Sequence, residues 1–258
     1  MTSLPSWSDY GTHDESAYPE LWDGVIGAWA PCLGPTGSRL HDMSRRNNWG
    51  TIQNRTAAAA WDSQNGQYAV SFNNTAGQRI SFNQYSLGDF TLSNWVLITS
   101  IPAGGSVIWD DATSGGFFGW YYTASLVYFR DAGGFVSLSY SLPTSRWLHL
   151  CATRKGSAIT LFVDSVVIGT LTLTGTATIS SIGGVDNNND AFSVNGLLDD
   201  CVIWPFSISQ DQVRQLYQLG RGGMLERRRR RRVYTEQAGF RAHYATQRNA
   251  QLIGGGLR

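Results

Sequence analysis

Short apolar runs separated by turn residues recur along most of this chain. They occupy residues 25–30, 68–72, 79–82, 90–101, 107–110, 117–122, 126–130, 136–140, 147–153, 159–163, 166–173 and 197–204, with Gly, Asn, Asp and Pro between them. Runs this short, at this spacing, predict strands of a sandwich or barrel. The string "ITLFVDSVVIG" predicts a hairpin closed by a tight Asp164-Ser165 turn. One segment, "SISQDQVRQLYQLGRGG", carries helical periodicity. Ser209 and Gln212 stand at capping-box spacing, Val213, Leu216 and Tyr217 share one face, and Gly220 is placed to end the helix. Residues 1–20 are polar, contain Pro5 and Pro19, and read as an extended arm. The expected organisation is an arm over 1–20, an all-β sandwich over 21–220 with one short helix at its end, and a basic tail over 221–258.

Composition supports the all-β reading: 29 glycines, 42% hydrophobic residues and only 15% charged ones suit many turns around a packed core. The net charge of +1 conceals an asymmetry. Residues 221–258 hold ten arginines and two glutamates, net +8, whereas residues 1–220 hold ten basic and seventeen acidic groups, net −7. A basic segment on an acidic body suggests a partner of its own. Cys32, Cys151 and Cys201 are an odd, widely spaced set and read as small buried hydrophobes. The first residues lack the basic and apolar regions of a signal peptide, and no apolar stretch reaches the ~18 residues of a membrane span.

Three stretches resemble the laminin-G-like, concanavalin A-like jelly-roll superfamily: "GVIGAWAPCLGPTGSRLHDMSRRNNWGTI", "SRWLHLCATRKGSAITLFVDSVVIGTL" and "NGLLDDCVIWPFSISQDQVRQLY". They are similar to that family's opening D-x-S unit, its central hairpin and its closing strand-helix unit. Ser165 and Phe162 depart from the usual glycine and tyrosine of the hairpin. The resemblance implies a jelly-roll β-sandwich, a fold that hosts lectins, hydrolases, adhesion modules and virion proteins, so activity must be argued from the site. The string "FRAHYATQRNAQLIGGGLR" resembles C-terminal extensions of such proteins in tailed bacteriophages.

Candidate chemistry is sparse. Retaining glycosidases place two carboxylates ~5–5.5 Å apart, on a strand at i and i+2. The E-x-D-x-x-E string of concanavalin-like hydrolases does not occur. Asp110-Asp111 and Asp199-Asp200 are adjacent, predicted to face opposite sides as strand-end or turn acids, and no enzymatic activity is expected. Asp186, Asn188 and Asp190 alternate as in a calcium loop, but the glycine and glutamate of that loop are missing; calcium is the only cofactor this pattern would take, and an Asn-rich turn is the plainer reading. His149 reads as a hydrogen-bonded core histidine, and Trp7, Trp49, Trp61, Trp109 and Trp120 as core residues or, for a minority, sugar-stacking ones. In the tail, Arg227, Arg228, Arg229, Arg230, Arg231 and Arg232, with Arg241 and Arg248, supply charge, and Phe240 and Tyr244 supply apolar anchors.

The expectation is a structural virion protein of a bacteriophage: made in the host cytoplasm, oligomeric, and held to other virion subunits by its tail. The alternatives are a lectin or adhesion module for a host-surface glycan, and a nucleic-acid-binding protein using the arginines, the last disfavoured by the acidic body and the few aromatics per arginine. No membrane association is expected.

Overall fold

The computed structural model describes residues 18–224, apart from 65–66, 76, 112–118, 132–133 and 186–191. Two antiparallel sheets stack face to face. In chain order the elements begin with helix α1 (Pro19–Trp22), strand β1 (Gly27–Trp29), the 3-10 turn η1 (Pro31–Leu33), β2 (Arg39–Leu40) and β3 (Gly50–Gln53). Then come α2 (Ala57–Ala60), β4 (Trp61–Gln64), β5 (Gln67–Asn73), β6 (Arg79–Leu87) and β7 (Phe90–Ile98). They continue with β8 (Ser106–Asp110), β9 (Gly119–Tyr122), β10 (Leu126–Asp131), β11 (Gly134–Ser139) and β12 (Trp147–Lys155). The chain closes with β13 (Ala158–Val163), β14 (Val166–Thr172), β15 (Ala177–Ile182), β16 (Asn195–Trp204) and α3 (Gln210–Leu219). Sheet A runs β14-β13-β12-β7-β16-β5-β4, with β1 also on β16; sheet B runs β11-β10-β9-β8-β15-β6-β3-β2.

The apolar alternation sets the faces. Ile80, Leu92, Val96, Ile108, Phe129, Leu150 and Ile203 point between the sheets and are completely buried. Strands β2, β4 and β15 escaped the sequence reading. They are short or rich in Ser, Thr and Gln, so pairing rather than hydrophobicity defines them.

Local chemistry explains the motifs. Asp42 is 2% exposed and accepts hydrogen bonds from the backbone N–H groups of Ala28, Ser44 and Asn48, which fastens the D-x-S turn to β1. Asp164 and Ser165 both adopt positive φ, 51° and 67°, the conformation a two-residue hairpin turn requires. The Asp164 carboxylate offsets that strain for a turn lacking glycine: it accepts from the His149 N–H at 2.9 Å and from Arg146 at 2.7 Å. Helix α3 has the expected capping box between Ser209 and Gln212 and ends at Gly220, φ 72°.

The two outer faces differ. That of sheet A is roofed by α1, η1 and α3, whose Leu21, Trp22, Cys32, Val213 and Leu216 pack on Cys151, Phe162 and Val202. On the outer face of sheet B a small cluster of Val107, Tyr121 and Val185, with Tyr128 and Phe192 against it, sits beside polar strands.

Candidate functional site

Cross-strand register builds the site. Residues directly opposite one another in neighbouring strands point to the same face. One such row crosses all of sheet B: Phe135 faces Arg130, Arg130 faces Gly119, and Gly119 faces Asp110. The row continues from Asp110 to Ser181, Ser81, Thr51 and Arg39. Their chain neighbours Phe129, Ile182, Ile80, Ile52 and Leu40 lie in the inter-sheet core, so the row faces outward. Its eight strands, about 4.8 Å apart, span roughly 34 Å.

Near the β11 end of that face an aromatic shelf stands over a buried acid. Tyr121 and Tyr128 stack with ring centroids 5.1 Å apart and planes 6° from parallel. Phe135 meets Tyr128 edge-on at 5.6 Å and is 63% exposed. The Arg130 guanidinium lies 5.5 Å from the Phe135 ring centre. Gly119 makes the arrangement fit: a Cβ there would lie 2.1 Å from Tyr121 Cε2 and 2.9 Å from Asp110 Oδ1. The Tyr121 ring therefore folds down over the strand, and its hydroxyl lies 3.4 Å from Asp110 Oδ1.

Asp110 is 5% exposed, and burial pushes its carboxyl up to about 8. The Asp111 backbone N–H and the Arg130 charge oppose that rise without cancelling it. At neutral pH Asp110 is a carboxylic acid, able to donate a hydrogen bond. Burial also pushes the Tyr121 hydroxyl up, so it stays protonated. Asp111 is buried as well, and its carboxylate accepts from the Thr178 hydroxyl. Among the described residues no further carboxylate stands opposite Asp110 on this face.

Several sequence-based assignments end up elsewhere. Asp199 and Asp200 are neither strand-end nor turn acids and do not face opposite sides. They sit midway along β16 at a register shift, where Asp200 has φ 46° and the bulge turns both carboxylates to the outer face of sheet A. There Asp199 Oδ1 accepts from the Cys32 N–H at 2.9 Å and Asp200 Oδ1 from the Cys32 thiol at 3.3 Å. Burial and the neighbouring Asp200 carboxylate push Asp199 up, while Arg221, whose Nε lies 2.9 Å from Asp199 Oδ2, opposes them. Arg221 also lies 4.1 Å from the Trp147 ring centre and donates to the Gln67 carbonyl at 3.1 Å. Counted from sequence with the basic tail, Arg221 is thus built into the sandwich wall, and Met224 is buried beyond it. Cys32, Asp199 and Asp200 bring three donor atoms within 4.8 Å of one another, but thiol, backbone and guanidinium partners already engage them.

His149 is buried as expected, with Nε2 2.9 Å from the Ser93 hydroxyl and Nδ1 without a partner among the described residues. Burial lowers it to about 4, despite the Asp164 charge. Cys32, Cys151 and Cys201 are buried thiols in no disulfide among the described residues. Trp109 and Trp120 fill the core, and Trp61 donates to the Gly37 carbonyl. Of the four described tryptophans among those named from sequence, Trp49 joins the face of sheet B, packed against Arg39 and His41. Trp7, the calcium-spaced Asp186, Asn188 and Asp190, and all the tail residues from Arg227 to Arg248 lie outside the described residues.

The shelf itself was missed from sequence. A signal was present: "GWYY", "LVYFRD" and "GFVSLS" alternate aromatics on both faces, more than a single core requires.

Comparison with known proteins agrees with this architecture. Residues 72–214 match the family model described as the Concanavalin A-like lectin/glucanases superfamily. No curated protein sequence matches the chain. Among solved structures, domain 4 of AbnA, a GH43 extracellular arabinanase from Geobacillus stearothermophilus in complex with arabinotriose, superposes with TM-score 0.60 at 15% identity, over 75% of this chain and 98% of that domain. The binding domain of Paraclostridial Mosquitocidal Protein 1 gives 0.58 at 14%, over 76% and 52%. Trypanosoma rangeli sialidase, in complex with a difluorinated KDN, gives 0.58 at 15%, over 75% of this chain and 32% of the sialidase. At these identities the likeness is one of fold.

Proposed function

The chain belongs to the Concanavalin A-like lectin/glucanases superfamily, and from that premise we propose that it is a non-catalytic carbohydrate-binding module whose glycan lies on the outer face of sheet B. The observation that carries this reading is the stacked Tyr121–Tyr128 pair with exposed Phe135, set directly over protonated Asp110. Sugar rings present apolar C–H faces and hydroxyl edges. Aromatic side chains receive the first, and a carboxylic acid, Tyr121 hydroxyl and Arg130 meet the second. Holding a buried acid beside aromatic rings, of which Phe135 is exposed, costs stability, and groups perturbed in this way cluster at functional sites. The arabinotriose-bound arabinanase domain of the same fold is consistent with this. Hydrolysis is not proposed, because Asp111 is engaged by Thr178 and no described carboxylate faces Asp110 as a second catalytic group.

The test is a polysaccharide panel read by affinity electrophoresis with the wild type and with Tyr128→Ala and Phe135→Ala. Binding lost in the variants supports the reading. Retention of a glycan by both would move the site elsewhere, and sugar release abolished by Asp110→Asn would make the protein an enzyme.

A second reading, a bacteriophage virion component anchored through residues 221–258, draws on the +8 charge of that segment and on the rooting of Arg221 and Met224 in the sandwich. It is compatible with glycan binding, the sheet displayed outward and the tail held by neighbouring subunits. Removing residues 225–258 should leave a folded sandwich that no longer enters particles; normal incorporation would end this reading.

A further inference from the structure

We infer that the glycan bound on sheet B is anionic, a carboxylate- or sulfate-bearing polysaccharide laid across the strands, with a second contact point at Trp49 and Arg39. This rests on the carbohydrate-binding reading and adds the charge and length of the ligand. Residues 1–220 carry net −7, yet the described side chains on the outer face of sheet B invert that sign. Arg39 ends the outward row, Arg130 stands one strand in from its other end, and Arg79, opposite Gln53 and two residues before Ser81, lies on the same face. The carboxylates beside them, Asp110 and Asp111, are 5% and 4% exposed. Among the described residues, the charge this face presents to a ligand is therefore guanidinium, set among hydroxyl, neutral-acid and aromatic groups.

Arginine suits such a ligand because its planar fork meets carboxylate or sulfate oxygens in pairs. Burial lowers the Arg79 guanidinium, so charge is kept on this face at a cost. The two ends are built alike. Arg130 lies 5.5 Å from the Phe135 ring centre and Arg39 lies 5.2 Å from that of Trp49, where His41 meets the indole edge-on at 4.7 Å. Two cation–aromatic stations joined by Ser181, Ser81 and Thr51, roughly 29 Å apart over six strand spacings, fit a chain of many sugars and exceed a disaccharide.

The experiment compares matched polymers on the full-length protein: pectate against its fully methyl-esterified form, and dextran sulfate against dextran. The expected result is at least tenfold tighter binding to one or both anionic members, weakening as salt is raised. Because the six arginines at 227–232 could also attract polyanions, the deciding variant is Arg39→Gln/Arg130→Gln, which should cut the preference to threefold or less with the tail intact. Trp49→Ala should weaken long oligomers of the bound polymer several-fold and leave a trimer unchanged. An undiminished preference in the double variant overturns the inference, as does equal binding of charged and neutral members. Binding of neutral glycans alone overturns it and leaves the carbohydrate-binding reading standing, whereas binding of no polysaccharide ends both. Single-stranded DNA bound in place of the polysaccharides, and lost in the double variant, would assign the face to nucleic acid.

Discussion

Replacing Asp110 with asparagine tests whether the shelf is held at the expense of stability. In the unfolded chain the carboxyl titrates near 3.8; in the fold burial raises it to about 8. Between those values the folded state binds a proton that the unfolded state has released, so stability falls as pH rises, by about 1.4 kcal/mol per pH unit for one group. The contribution is complete below pH 4 and lost once pH passes about 8. Asparagine keeps the shape and a donor but does not titrate. Relative to the wild type, Asp110→Asn should gain on the order of 4 kcal/mol between pH 5 and pH 9. Urea unfolding at both pH values, compared between the two proteins, removes every other titrating group from the difference. Glycan affinity should fall above pH 8 in the wild type and stay level in the variant. A stability difference independent of pH would show that Asp110 is ionised in the fold and refute the donor role assigned to it.

Other expectations follow from the same physics. His149, lowered to about 4 from 6.5, must be neutral in the fold, so stability should be lost as pH falls from 6.5 to 4, by up to about 3 kcal/mol; His149→Gln, followed by acid unfolding, should flatten that limb. Arg221→Met leaves Asp199 buried without its cation and should cost about 3–5 kcal/mol in chemical denaturation, and adding Asp199→Asn should recover part of it. Gly119→Ala drives a methyl into the Tyr121 ring. It should cost about 1–3 kcal/mol and weaken glycan binding, whereas Phe135→Ala, at an exposed position, should weaken binding with stability changed by less than about 0.5 kcal/mol.

The sandwich was legible in the sequence because strands buried in a sheet and the turns between them are both set locally, so each apolar run from 90–101 to 197–204 stands out between Gly, Asn, Asp and Pro without reference to the others. The α3 cap and the Asp164-Ser165 turn were legible for the same reason, since each is decided by residues within hydrogen-bonding reach along the chain. The functional surface was not. Whether Tyr121 and Tyr128 point into the core or away from it depends on register, and register placed Phe135, Arg130, Gly119 and Asp110 in one row although they come from four strands. Asp110 looked like an ordinary strand-end acid, and only its burial in the folded sheet, beside the Tyr121 ring, raises its carboxyl and changes its charge. At Asp199 and Asp200 one bulge reversed the expected geometry, turning both acids toward Cys32, far earlier in the chain, and toward Arg221, which composition alone had assigned to the tail. Local pattern fixes which residues are buried, but pairing between distant strands decides which of the remainder meet, and that meeting sets their charge and their chemistry.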